Sequence, residues 1–143
     1  MKKEGNEMKI YAFEVRDDER EYFHTAGART KTEIVLDPGV LTSDKIPWLE
    51  PGCAVSVLGM HQYGQMELDL LKKQGVHCLS TRTIGYNHID IDYARRIGIH
   101  VCNAQYDPTG VADYTIMMIL LCLRNYKQAL WRTEVNDYSL NGL

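Results

Sequence analysis

Residues 79–90, "LSTRTIGYNHID", put more usable chemistry in one short span than any other part of the chain. A polar, glycine-containing turn here follows an apolar strand and leads into a helix, so it is either a binding site or a plain connection. Arg82 offers a permanent cation and is expected to brace the turn. His88 has the only ring in the span that could exchange a proton near neutral pH, yet its place favours a helix start or surface role. His61 and Tyr63 follow another apolar stretch, "CAVSVLGM", and either line the same cleft or belong to a surface loop. His24, His77 and His100 read as surface or strand-end residues. Cys53, Cys78, Cys102 and Cys122 are widely spaced with no CxxC pair, which excludes a zinc site or a disulfide framework. They read as small buried hydrophobes.

Those side chains need a scaffold, and the pattern supplies one. Apolar runs without clean alternation recur at "MKIYAFEV", "TEIVLDPG", "CAVSVLGM", "VHCLSTRTI" and "HVCNA". Between them lie a charged helix "DDEREYFHTAG" closed by Gly27, a short helix interrupted near Pro47, a leucine-spaced helix "GQMELDLLKKQG", and "DIDYARRIG". The alternation predicts an α/β fold, a flavodoxin-like parallel sheet of order 2-1-3-4-5 covered on both faces. Ligands of such sheets bind beyond the carboxyl ends of the strands. The residues there are Glu14 to Asp18, Gly59 to Tyr63, Arg82 to Asn87, and Asn103 to Tyr106. The opening "MKKEGNE" is polar and aperiodic and reads as a frayed start, with Met8 as an alternative initiator.

The bulk numbers bound the partners. The chain has 143 residues, 45% apolar and 24% charged, as in an ordinary globular domain. A net charge of −3 argues against nucleic acid or an anionic membrane as partner. No secretory pattern is present, and the longest apolar run, Ile116 to Leu123, is too short to span a bilayer. The expectation is a soluble cytoplasmic protein.

After the fifth strand, Asp107 can cap a helix and Pro108 suits its first position. The predicted helix spans 108–131, and from Ile116 to Leu123 every residue is apolar. Such a helix needs cover all round, from more chain, a second subunit or both.

Taken together, "STRTIGYNHID", "NAQYDPTGVADYT" and the apolar helix resemble the amino-terminal part of D-2-hydroxyacid dehydrogenases, from Met8 onward. The likeness is greatest to the D-lactate type. It implies a substrate domain over 1–104 and, over 105–143, the first helix of a Rossmann NAD domain cut short before GxGxxG. It further implies that backbone N–H groups of Ile84 and Gly85 hold a substrate carboxylate, with Gly59 and Met60 lining the pocket. Tyr106 would stand beside the substrate, and Val111 would touch the NAD cofactor near its nicotinamide. The substrate would be a small 2-oxo or 2-hydroxy acid, and helix 108–131 would form a homodimer interface. The acid/base histidine, its glutamate and the polarising arginine would lie downstream of Leu143, leaving this chain inactive alone. Receiver domains share the fold and place acids where Asp17 and Asp18 stand, but "VLGMHQ" and "CNAQY" lack their aspartate and lysine. A stand-alone carboxylate-binding module is the remaining rival.

Overall fold

A computed structural model describes residues 8–142. The expected frayed start falls on residues 1–7 and the expected truncation point on Leu143, and both lie outside the described residues. The chain forms two compact units, divided between Gln105 and Tyr106.

The first unit is a five-stranded sheet of β1 (Ile10–Ala12), β2 (Ile34–Leu36), β3 (Ala54–Val57), β4 (Cys78–Thr81) and β5 (His100–Cys102). Every pairing is parallel and the order is β2-β1-β3-β4-β5, as the alternation predicts. The helices are α1 (Arg20–Thr30), α2 (Gln65–Lys73) and α3 (Ile91–Ile97). Register places Tyr11, Val55, Leu79 and Val101 side by side on one face. With Leu68, Leu71, Val76, Ala94 and Ile99 they belong to one continuous apolar core.

Two boundaries differ from expectation. Gly27 does not close α1, which runs to Thr30 and ends at Lys31, a left-handed residue with φ 54°. Gly27 is needed instead for close approach, because a Cβ there would stand 3.0 Å from the Thr32 carbonyl. The segment around Pro47 forms only a short 3-10 turn, Ile46–Trp48, with proline in its first turn.

The second unit contains α4 (Thr109–Leu123) and α5 (Tyr126–Glu134), so the single helix expected over 108–131 is corrected to two. The break lies at Asn125, whose φ of 46° places it in the left-handed region that asparagine tolerates. Its carbonyl then accepts from the Gln128 and Ala129 N–H groups and starts α5. Within this unit the apolar run is exposed, with Ile116 at 58% and Leu123 at 73%.

Of the cysteines, only Cys53 is buried; Cys78 is half-buried, and Cys102 and Cys122 are exposed. Cys102 lies opposite Ser80 on β5, the edge strand of the sheet, so only one side of it is covered by a neighbouring strand. Among the described residues no group of histidine, cysteine and carboxylate side chains could hold a metal.

Candidate active-site turn at the carboxyl ends of the strands

β4 ends at Thr81, and the chain turns through Arg82 to Asn87 before α3. This turn is held by its carbonyls. Asn103 Nδ2 donates to the Ile84 carbonyl at 2.9 Å, and Thr83 Oγ1 donates to the Gly85 carbonyl at 2.6 Å. The Ala104 N–H donates to the Thr83 carbonyl at 3.1 Å. The Ile84 and Gly85 N–H groups donate to no protein atom among the described residues, and both residues are exposed. Two adjacent backbone donors are thus left free while the carbonyls of the same turn are fixed. A Cβ built on Gly85 meets nothing within 4 Å, so the chain itself leaves that approach open.

A hydroxyl relay stiffens the turn. Thr81 Oγ1 lies 2.7 Å from Thr83 Oγ1 and 3.2 Å from His88 Nε2. Because the Thr83 hydroxyl gives its proton to the Gly85 carbonyl, Thr81 must give its own to Thr83. His88 Nε2 then donates to Thr81, which fixes the tautomer. Burial pulls the His88 pKa below its ordinary value, and Glu14 opposes that shift. His88 is therefore part of the turn's support, neither a surface residue nor a free acid/base.

The β3 end is laced to the same turn. Gly59 has φ 114°, and a Cβ on it would come within 3.2 Å of the His88 ring. The Tyr63 N–H donates to the His88 carbonyl at 2.7 Å. Tyr63 reaches no cleft, since it is fully buried with its hydroxyl donating to the Leu41 carbonyl at 3.2 Å. His61 packs edge-on against Tyr63. Met60 is 77% exposed at the same end of the sheet. Ile84, Gly85, Gly59 and Met60 thus share one end of the first unit. Tyr106 and Val111 belong to the second unit, where each is more than half exposed.

Arg82 does brace the turn. Its guanidinium donates to the Phe13 and Glu14 carbonyls at 2.9 and 3.1 Å and to Ser56 Oγ at 3.1 Å. It also pairs with Glu19 at 3.0 Å and lies over the Phe23 ring. Most of its donors are thus spent on the first unit's own acceptors.

Sequence reasoning placed Glu14 and Asn103 at strand ends without giving either a role. Glu14 is 6% exposed and has φ 57°, a conformation that costs a non-glycine residue about 1–2 kcal/mol. Its Oε2 accepts from the Leu58 and Met60 N–H groups at 3.0 and 3.1 Å. Its Oε1 is buried with no partner. The available signal was a lone carboxylate inside the apolar run "YAFEV".

A family model for the D-isomer specific 2-hydroxyacid dehydrogenase catalytic domain matches residues 10–138. The chain belongs to this family. A D-specific alpha-keto acid dehydrogenase of Enterococcus faecium is 33% identical over 137 residues, covering 96% of this chain and 42% of its own length. Apo D-lactate dehydrogenase of Escherichia coli superposes with a TM-score of 0.74 at 28% identity, covering 95% of this chain and 43% of that one. The NAD-complexed dehydrogenase of Lactobacillus delbrueckii gives 0.71 at 25% identity, covering 92% and 41%. The chain spans about two fifths of the length of the relatives it matches. Within this family the first unit has the fold of the substrate domain.

Proposed function

We propose that the chain is the substrate-side, amino-terminal portion of an NAD-dependent D-2-hydroxyacid dehydrogenase of the D-lactate type, which reduces pyruvate to D-lactate. The observation that supports this reading best is the cradle at Ile84 and Gly85, two adjacent free N–H groups on a turn held by its carbonyls. A 2-oxo acid docked there would accept charge-assisted bonds from both donors, fixing the reacting carbon relative to the rest of the site. Gly59 and Met60 line the pocket in this reading. The turn needs no side-chain cation, which agrees with the Arg82 guanidinium being turned to β1, Ser56 and Glu19.

NADH supplies the hydride when bound. The residues described here do not by themselves make a dinucleotide site. A pyrophosphate seeks the free N–H groups of a helix amino terminus, but at α4 Asp107 Oδ1 already accepts from the Thr109 N–H at 3.0 Å. The chain's share of the cofactor site is therefore its nicotinamide edge, Tyr106 and Val111. No residue of this chain takes the role of acid/base histidine, partner glutamate or polarising arginine, and we place all three downstream of Leu143. We assign residues 1–104 to the substrate domain and 105–143 to the opening of the NAD domain. α4 is assigned to a homodimer interface. We place the enzyme in the cytoplasm; no helix among the described residues is long and apolar enough to cross a membrane.

The test is an assay of the complete reading frame with pyruvate and NADH, beside the 143-residue chain. The complete protein is expected to form D-lactate, and the chain alone none. Titrating pyruvate into the isotope-labelled chain should move the Ile84 and Gly85 amide resonances first. Failure of the complete protein to reduce any 2-oxo acid, with binding intact, would favour a carboxylate-binding module.

A further inference from the structure

Glu14 carries two physical costs at once. A side chain at φ 57° is strained, and a buried carboxylate with one oxygen unpartnered forgoes solvation without full replacement. Glycine at this position would remove both. The fold of β1 therefore gains nothing from the glutamate, and its return must come from what the other oxygen does. Oε2 receives the N–H groups of Leu58 and Met60, the residues on either side of Gly59. With Gly59 at φ 114°, these two donors converge on one point, forming a small backbone concavity of the kind that binds anions. The carboxylate of Glu14 fills it.

We propose that Glu14 is a positioning residue: its carboxylate serves as a built-in anion that fixes the Leu58–Met60 backbone and thereby sets where Gly59 and Met60 stand at the site. The consequence for substrate rests on the reading above, in which those two residues line the pocket. The clamp itself does not. Its far end is anchored independently, since the Glu14 N–H donates to the Gly39 carbonyl at 2.9 Å and its carbonyl accepts from Arg82. The anion is thus held from the β1 side and reaches across to the β3 side.

The test is amide hydrogen exchange by NMR on the labelled 143-residue chain. In the unaltered protein the Leu58 and Met60 amides should be protected although both lie outside β3. Glu14→Gly accommodates φ 57° without strain, so it removes the carboxylate and leaves the backbone at ease. Exchange at Leu58 and Met60 should then speed up by about tenfold or more, while the Val55 and Val57 amides keep their protection. Sodium formate should restore protection at those two amides in Glu14→Gly, and sodium chloride at equal ionic strength should not. A purely structural role for Glu14 would show no such anion rescue. Unchanged exchange at Leu58 and Met60, or loss without rescue by formate, overturns the proposal. Should Glu14→Gly open the whole sheet, Glu14→Gln decides. Its carbonyl retains the two bonds without the charge, so both amides should stay protected but move upfield; unmoved resonances overturn the clamp. Because no step reads turnover, failure here leaves the dehydrogenase reading standing, and failure of that reading leaves the clamp.

Discussion

Arg82 Nε stands 3.0 Å from Glu19 Oε1, with the two side chains only 15% and 16% exposed. This pair ties the end of β4 to the turn after β1, and the same guanidinium takes up two carbonyls of β1's exit. Removing it strands a carboxylate and several acceptors together. Arg82→Ala is expected to lower the stability of the chain by about 3 kcal/mol in urea melts. Arg82→Lys should recover little, because an ammonium cannot meet acceptors spread around a planar fork. A loss below about 1 kcal/mol, the range of an exposed pair, would mean the network is ornamental.

Burial alone would push the Glu19 carboxyl up, but the Arg16 backbone N–H and the Arg82 guanidinium outweigh it and hold it below the usual carboxylate range. A folded pKa below the unfolded one contributes stability that is present above roughly pH 4.3 and is lost as pH falls through the folded value. Acid melts of the unaltered chain should therefore steepen below that pH. Glu19→Gln should be less stable at neutral pH and flatter in acid; parallel profiles would remove Glu19 from the acid response.

For His88 the sign runs the other way along the axis of charge. Its lowered pKa means the fold prefers the neutral ring, so the contribution is complete above about pH 6.5 and is lost as pH falls below it. The ring's NMR titration should have its midpoint below about 6.5, and Glu14→Gly should lower it further. A midpoint above that value would contradict burial as the dominant influence on His88.

Gly85 separates folding from binding. Its added Cβ meets no protein atom and its φ is not among the positive ones. Gly85→Val should leave thermal stability within about 0.5 kcal/mol. In the complete enzyme the same change should raise KM for pyruvate far more than the Kd for NADH. Equal loss of both would count against a carboxylate at this turn.

Leu120 and Leu123 are 55% and 73% exposed on α4. If this surface joins two copies, Leu120→Glu with Leu123→Glu should halve the sedimenting mass of the complete protein without unfolding it. An unchanged mass would move the interface elsewhere.

The sheet was legible because each strand is an apolar run bracketed by helix or turn signals, and parallel order follows from that alternation. The turn at residues 82–87 was legible as a location for the same reason. What held it was not. The relay from His88 through Thr81 to Thr83 depends on a gap at Gly59, which comes from a strand distant in sequence. Tyr63 looked equally suited to cleft or surface because its neighbours are polar, yet its hydroxyl finds a carbonyl in the core. The break at Asn125 left no proline or glycine to mark it, and the apolar residues before it read as continuous helix. Gly27 misled in the opposite direction, since a glycine kept for close packing looks like a stop.

The donors at Ile84 and Gly85 belong to the main chain, and every residue except proline carries one. An activity scan across this turn would therefore trace a silhouette and not a set of essential side chains. Position 84 should accept most substitutions, position 85 only small ones, and proline should silence either. Lineages could vary position 84 widely and keep only a small residue at 85, and the proposed grip on a carboxylate would stay the same.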